Sequence, residues 1–219
     1  HTFTEVNRLT SFSLEVKNDL DTTSVDRYLG CKITEWTLSG TVGEVIRVSM
    51  SAVYNNASHA TSTSNSASEA RGTLTFAGGT LSVGGTIADV QSFELTNTQE
   101  TELRYGFGSH FATRAQEKSR GYTLRLTVDF EAFSTFRQPF YGGSSGPVAA
   151  GPTVASSATL TFTNGLSAGN LNQHVVTLAT LTPDDTNRPY DENVTEDTLI
   201  YTAQSLSSVV VTDGTSTTP

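Results

Sequence analysis

Apolar and polar side chains alternate with a period of two along much of the chain, the signature of strands with one buried face. Over 124–131, Leu124, Leu126, Val128 and Phe130 point one way, and Arg125, Thr127, Asp129 and Glu131 the other. Over 45–54, Ile46, Val48, Met50 and Ala52 alternate with Arg47, Ser49 and Ser51. In 158–163, Leu160 and Phe162 alternate with three threonines. Segments 11–17, 31–39, 72–76, 86–96, 111–118, 173–181 and 198–211 also read as strands.

The turns follow from glycine and asparagine. Gly40-Thr41-Val42-Gly43 joins 31–39 to 45–54 as a hairpin, because glycine adopts the positive φ of tight reversals at no steric cost. Ser119-Arg120-Gly121 reads as a second reversal, between 111–118 and 121–131. Asn164-Gly165 and Gly169-Asn170 read as a third, between 158–163 and 173–181. Helical signal is confined to 131–138, where Phe133 and Phe136 lie three apart and Pro139 follows. The predicted fold is all-β, a sandwich or barrel with one short helix and long loops.

The alternation divides the chain into a main β domain over 1–140, a Gly/Ser/Pro-rich connector over 141–157, C-terminal strands over 158–211 that complete the β domain, and a polar tail over 212–219. Residues 55–69, rich in Ser, Asn, Ala and Thr, read as a surface loop. Residues 183–198 form an acidic stretch with Asp184, Asp185, Asp191, Glu192, Glu196 and Asp197 opposed only by Arg188.

Composition removes several function classes. The chain has 219 residues, a net charge of −9, and 13 Lys+Arg against 22 Asp+Glu. That balance repels a phosphate backbone and argues against non-specific nucleic-acid binding. One cysteine, Cys31, excludes an internal disulfide and a cysteine-based zinc site. No stretch has the ~18 apolar residues of a membrane span, and the polar segment that His1 opens does not read as a signal peptide, so none is expected there. His1 is not a natural start, so residues upstream of it are expected.

Candidate chemistry is sparse. Gly142-Gly143-Ser144-Ser145-Gly146 matches the G-x-S-x-G pattern, but a nucleophile elbow needs a strand before it and a helix after it, and a linker surrounds this one. The histidines at 1, 59, 110 and 174 share no ligand spacing. The acidic stretch lacks EF-hand spacing and reads as solvated. No catalytic or metal site and no cofactor is expected.

The order of elements carries a resemblance. Leu9-Thr10-Ser11-Phe12-Ser13-Leu14-Glu15-Val16 is followed by Arg27-Tyr28-Leu29-Gly30-Cys31-Lys32-Ile33, the glycine turn and Val45 to Ser51. This resembles the tail tube proteins of long-tailed (caudovirus-type) viruses of bacteria and archaea, closely over 9–54 and loosely over 90–205. Arg27, Gly30, Cys31, Lys32 and Ile33 occupy that family's Arg-x-x-Gly-Cys-Lys-Val-type segment.

The resemblance implies a structural virion protein that is not an enzyme. Its copies would form a sixfold or pseudo-sixfold homo-oligomeric ring, stacked into a tube. The lumen would hold a tape-measure protein and then genomic DNA, without specific binding. Tail terminator and tail-tip proteins are the other implied partners. Within that frame the polar sides of hairpin 31–54 are expected to line the lumen: Glu35, Thr37, Ser39, Arg47, Ser49 and Ser51. Asn55, His59, Gly142, Gly143, Asp184 and Asp185 are expected in loops between subunits or rings. Other readings are a baseplate or head–tail joining ring protein, and a glycan-binding adhesin-type β-sandwich.

Overall fold

A computed structural model describes residues 1–6, 8, 10–17, 24–62, 73–84, 86–87, 90–129, 138–143, 147–166, 171–187 and 196–213. The described residues form one twelve-stranded antiparallel sheet. Its strands are β1 (Thr2–Phe3), β2 (Phe12–Lys17), β3 (Val25–Thr41), β4 (Arg47–Val53), β5 (Asn56–Ala60) and β6 (Gly79–Val83). They continue as β7 (Thr86–Ile87), β8 (Val90–Tyr105), β9 (Ala112–Asp129), β10 (Ala155–Thr163), β11 (Asn172–Asn187) and β12 (Glu196–Asp213). The strand order is β2-β3-β8-β9-β12-β11-β10-β6-β7, with β1 added to β12 and β4 and β5 added to β3.

The sheet curls because one face is apolar. Leu38 of β3, Leu95 of β8, Leu124 of β9 and Tyr201 of β12 lie in one cross-strand row on that face. They belong to the same buried cluster as Leu160 and Phe162 of β10 and Leu178 and Leu181 of β11. The Phe93 ring of β8 stacks on Phe162 of β10 at 5.3 Å, across strands far apart in the sheet order. The curl closes at one end, where Val45, just before β4, bridges Thr75, ahead of the 3₁₀ turn Phe76–Gly78 and β6. Ile46 N–H donates to Leu74 O, and Phe76 N–H to Glu44 O, both at 3.0 Å. The result is a barrel filled by side chains, as expected for a small closed sheet.

Three expectations change. Ser119-Arg120-Gly121 is not a reversal: β9 runs unbroken from Ala112 to Asp129 and pairs with β8 along almost its whole length. Gly121 lies opposite Thr98 and has no positive φ, while Arg120 reaches Gln99 and Glu5. The turn chemistry is overridden by long-range pairing. The expected loop 55–69 begins as strand β5, paired to the first half of β3. The acidic stretch is strand at both ends, up to Asn187 and from Glu196. The helix expected over 131–138 falls, for 131–137, outside the described residues, as do Ser144 to Gly146. One helical turn, α1 (Gln138–Tyr141), is described, and its Phe140 packs on Tyr201 at 5.2 Å.

Tyr201 supplies a pH test of the core. Burial pushes its phenol up to about 12, whereas an unfolded tyrosine ionises near 10. The folded state therefore holds the proton more tightly, so stability is intact below pH ~10 and falls as pH rises toward 12. Urea unfolding at pH 9 and pH 11.5 is expected to show a loss about 2 kcal/mol larger in the native chain than in Tyr201→Phe.

Candidate assembly surfaces

The segment Arg27 to Ile33 sits where β3 changes partners. Its first half pairs with β2 on one side and β5 on the other, and its second half with β8 and β4. Gly30 has φ +65, and a Cβ there would meet the Asn55 Cβ at 3.0 Å. Glycine is therefore favoured at this point of β3, which faces the kink between β4 and β5. Cys31 is buried, its Sγ donating to Tyr28 O. Lys32 is buried and ion-paired with Glu117 of β9. Arg27 Nε donates to Glu15 Oε1 of β2 at 2.6 Å.

The second half of β3 builds a polar surface. In register, Glu35 lies opposite Ser51, Thr37 opposite Ser49 and Ser39 opposite Arg47. Directly opposed residues share a face, so all six expected lumen residues stand on one face of the β3–β4 hairpin. The row through Thr37 runs much further. Ser49, Thr37, Thr96, Thr123, Thr202 and Thr182 stand in line across β4, β3, β8, β9, β12 and β11. The Thr37 and Thr96 hydroxyls are 3.3 Å apart. The flanking rows add Glu35 and Glu94 against Arg47 and Arg125, and Asp184 of β11 accepts from the Thr202 hydroxyl of the row, so cations are not in excess on this face. The surface is rich in small hydroxyls and carries no excess of cations.

The other face of the same hairpin is apolar and only partly covered. Val48 and Met50 point to the core side, in line with Leu38 and Trp36, yet they are 64% and 62% exposed. Among the described residues no strand pairs with the outer edge of β4 or β5. On the far side, the edge strand β2 also exposes Phe12, Leu14 and Val16. Open edges flanked by apolar side chains are the places where sheets add strands from another chain.

The expected loop residues lie apart from one another. Asn55 is wedged against Gly30, and its N–H donates to Leu29 O. His59 is exposed on β5, with Nδ1 3.9 Å from Asp26. Gly142 follows α1 with φ +71, and a Cβ there would lie 1.9 Å from Gly151 O. It is part of a packed turn, and Gly143 follows it. Asp184 is exposed on β11 and accepts from the Thr202 hydroxyl at 3.2 Å. Asp185 lies in the β11 backbone opposite Ile200.

Sequence reasoning missed Thr96, Thr123, Thr182 and Thr202. The alternation of Glu94, Thr96 and Thr98 with Phe93, Leu95 and Asn97 carries the signal within β8. Only long-range register joins it to β3.

A family profile described as phage tail tube protein matches residues 10–207. The chain belongs to the phage tail tube protein family. It is accordingly a structural protein of the virion tail. No individual curated protein matches it. Among the described residues of this tail tube protein no helix is long and apolar enough to cross a membrane. No group of three or more His, Cys, Asp or Glu is placed to hold a metal ion among them.

Proposed function

We propose that this tail tube chain closes into sixfold or pseudo-sixfold rings, and that the rings stack into a hollow tube through which viral DNA passes into the host. The open β4–β5 edge joins one copy to the next. The hydroxyl face, with Glu35, Thr37, Ser39, Arg47, Ser49 and Ser51, lines the lumen. Asn55, His59, Gly142, Gly143, Asp184 and Asp185 contribute contacts between copies. The tape-measure protein occupies the channel first, and terminator and tip proteins cap the two ends.

One observation carries this reading: a single hairpin bears both an edge that no described strand pairs with, beside exposed Val48 and Met50, and a hydroxyl face without an excess of cations. A heterologous contact that closes on rotation gives a ring, and pairing of this edge with a different surface of the next copy is heterologous. A wall without a row of cations gives phosphates nothing to grip, so DNA slides. The test is electron microscopy of the purified chain over a concentration series. Hollow rods with a channel wide enough for duplex DNA are expected. A chain that stays monomeric at every concentration, also with tail-tip protein added, contradicts the reading.

A further inference from the structure

The two ends of β8 carry complementary features. At its far end, beyond the last pairing with β3 at Thr98, β8 and β9 continue as a two-stranded arm. The arm turns at Gly106-Phe107-Gly108, with Gly108 at φ +79. Phe107 is fully exposed there, and Tyr105 and Phe111 are more than half exposed beside it. Between Glu102 and Glu117 the arm carries Arg104, His110 and Arg114 and no acid, with Arg104 ion-paired to Glu102 at 2.9 Å. Three aromatic side chains on a basic tip are costly in water. At roughly 150–250 Å² each, they supply a large part of the ~800 Å² that one side of a specific interface buries.

The near end of β8 opens on an apolar pocket. Val90 and Phe93 line it together with Val42, Phe76, Ala77 and Phe162, around a volume of about 430 Å³. Phe76, Phe93 and Phe162 form a ring stack on its wall, with centroids 6.2 and 5.3 Å apart. The strand ends around this opening are acidic. Glu44 lies in the β3–β4 turn, and Asp129 ends β9 and accepts from Gln91. Arg47 is the cation beside Glu44.

We propose that the arm tip of one copy inserts Phe107 into the Phe76–Phe93–Phe162 pocket of a copy in the next ring. Pocket and tip lie at opposite ends of β8, a 16-residue strand spanning on the order of 50 Å. Phe107 cannot reach the pocket of its own chain across that distance. A contact between opposite ends of identical copies is head-to-tail, and along the axis of a stack it propagates from ring to ring. The basic tip meets the acidic rim, which fixes polarity, and the phenyl ring supplies burial. The proposal rests on the tube reading and adds the contact that stacks the rings.

The test uses the full chain. Phe107→Asp is expected to leave rings intact but to raise the concentration needed for rods about tenfold or more, while Phe107→Trp still forms rods. The double variant Phe107→Cys/Ala77→Cys, oxidised, is expected to give a covalent ladder of multimers that neither single variant gives. The native Cys31 is buried. Rods of unchanged onset in Phe107→Asp, with no ladder in the double variant, overturn the knob-in-pocket contact and leave the tube reading standing. A native chain that forms neither rings nor rods overturns both.

Discussion

The double variant Val48→Lys/Met50→Lys is expected to sediment as a folded monomer at concentrations where the native chain assembles. Both side chains are largely exposed in the single copy, so replacing them removes little that the monomer uses. Surface substitutions of this kind shift stability by roughly 0.5 kcal/mol or less each. Melting temperature should therefore move by only a few degrees. Assembly should respond far more. Lysine on an edge strand is a known barrier to strand addition, because pairing would bury or crowd the ammonium. Loss of two apolar contacts at the centre of an interface costs about 2 kcal/mol or more per contact between copies, which is roughly thirtyfold in affinity at each. In a ring that penalty recurs at every junction. Analytical ultracentrifugation checks it, and unchanged assembly would remove β4 from the interface.

The largest stability effect is expected at Lys32. Its ammonium pairs with Glu117 where both side chains are about nine-tenths buried. The pair ties β3 to the β8–β9 arm just beyond the point where β3 and β8 stop pairing at Glu35 and Thr98. Lys32→Met removes the cation and leaves a buried carboxylate without it. Breaking such a pair on one side costs about 3–5 kcal/mol, more than the pair itself contributes relative to a hydrophobic substitute. For a chain of this size each kcal/mol moves the melting temperature by roughly 2–4 °C, so thermal denaturation should show a fall on the order of 10 °C. Hydrogen exchange should locate the loss in the arm, residues 99–120, ahead of the barrel. Equal loss of protection in β10 and β11 would show that the pair does not act through the arm.

Much of the barrel was legible because burial on one face writes itself as a period of two. Leu124, Leu126 and Val128 are all essentially inaccessible, as the alternation requires. The hairpin after β3 was legible for a steric reason, since Gly43 has φ +83, but Gly40 stays inside β3 opposite Phe93 and has no positive φ. What stayed hidden depended on partners distant in sequence. Ser119-Arg120-Gly121 has turn chemistry, but β8 offers a continuous ladder and Glu5 takes the Arg120 guanidinium at 2.6 Å. β5 carries no apolar alternation, and only the pairing of Asn56 to Ala60 with β3 makes it a strand. β6 did carry a signal, Leu81 and Val83 against Thr80 and Ser82, but it is short and bounded by glycines.

The candidate surface divides the same way. The six residues of the β3–β4 hairpin share a face because a strand alternates and a hairpin fixes register. The row that extends them through Thr96, Thr123, Thr202 and Thr182 depends on β8, β9, β12 and β11 lying in that order, which no local pattern specifies. Lys32 illustrates the limit. Its place in the family-like segment was visible, but its reason, a buried carboxylate 85 residues later, was not.

The role of the β3–β4 hairpin depends on which of its faces meets the channel. Cryo-electron microscopy of assembled tubes measures this directly. The expected map shows a closed ring in which β4 of each copy lies against its neighbour, with Thr37, Ser49 and Thr96 facing the channel and Val48 and Met50 covered. A ring whose channel is lined by other strands, with the threonine row facing solvent outside, would contradict it.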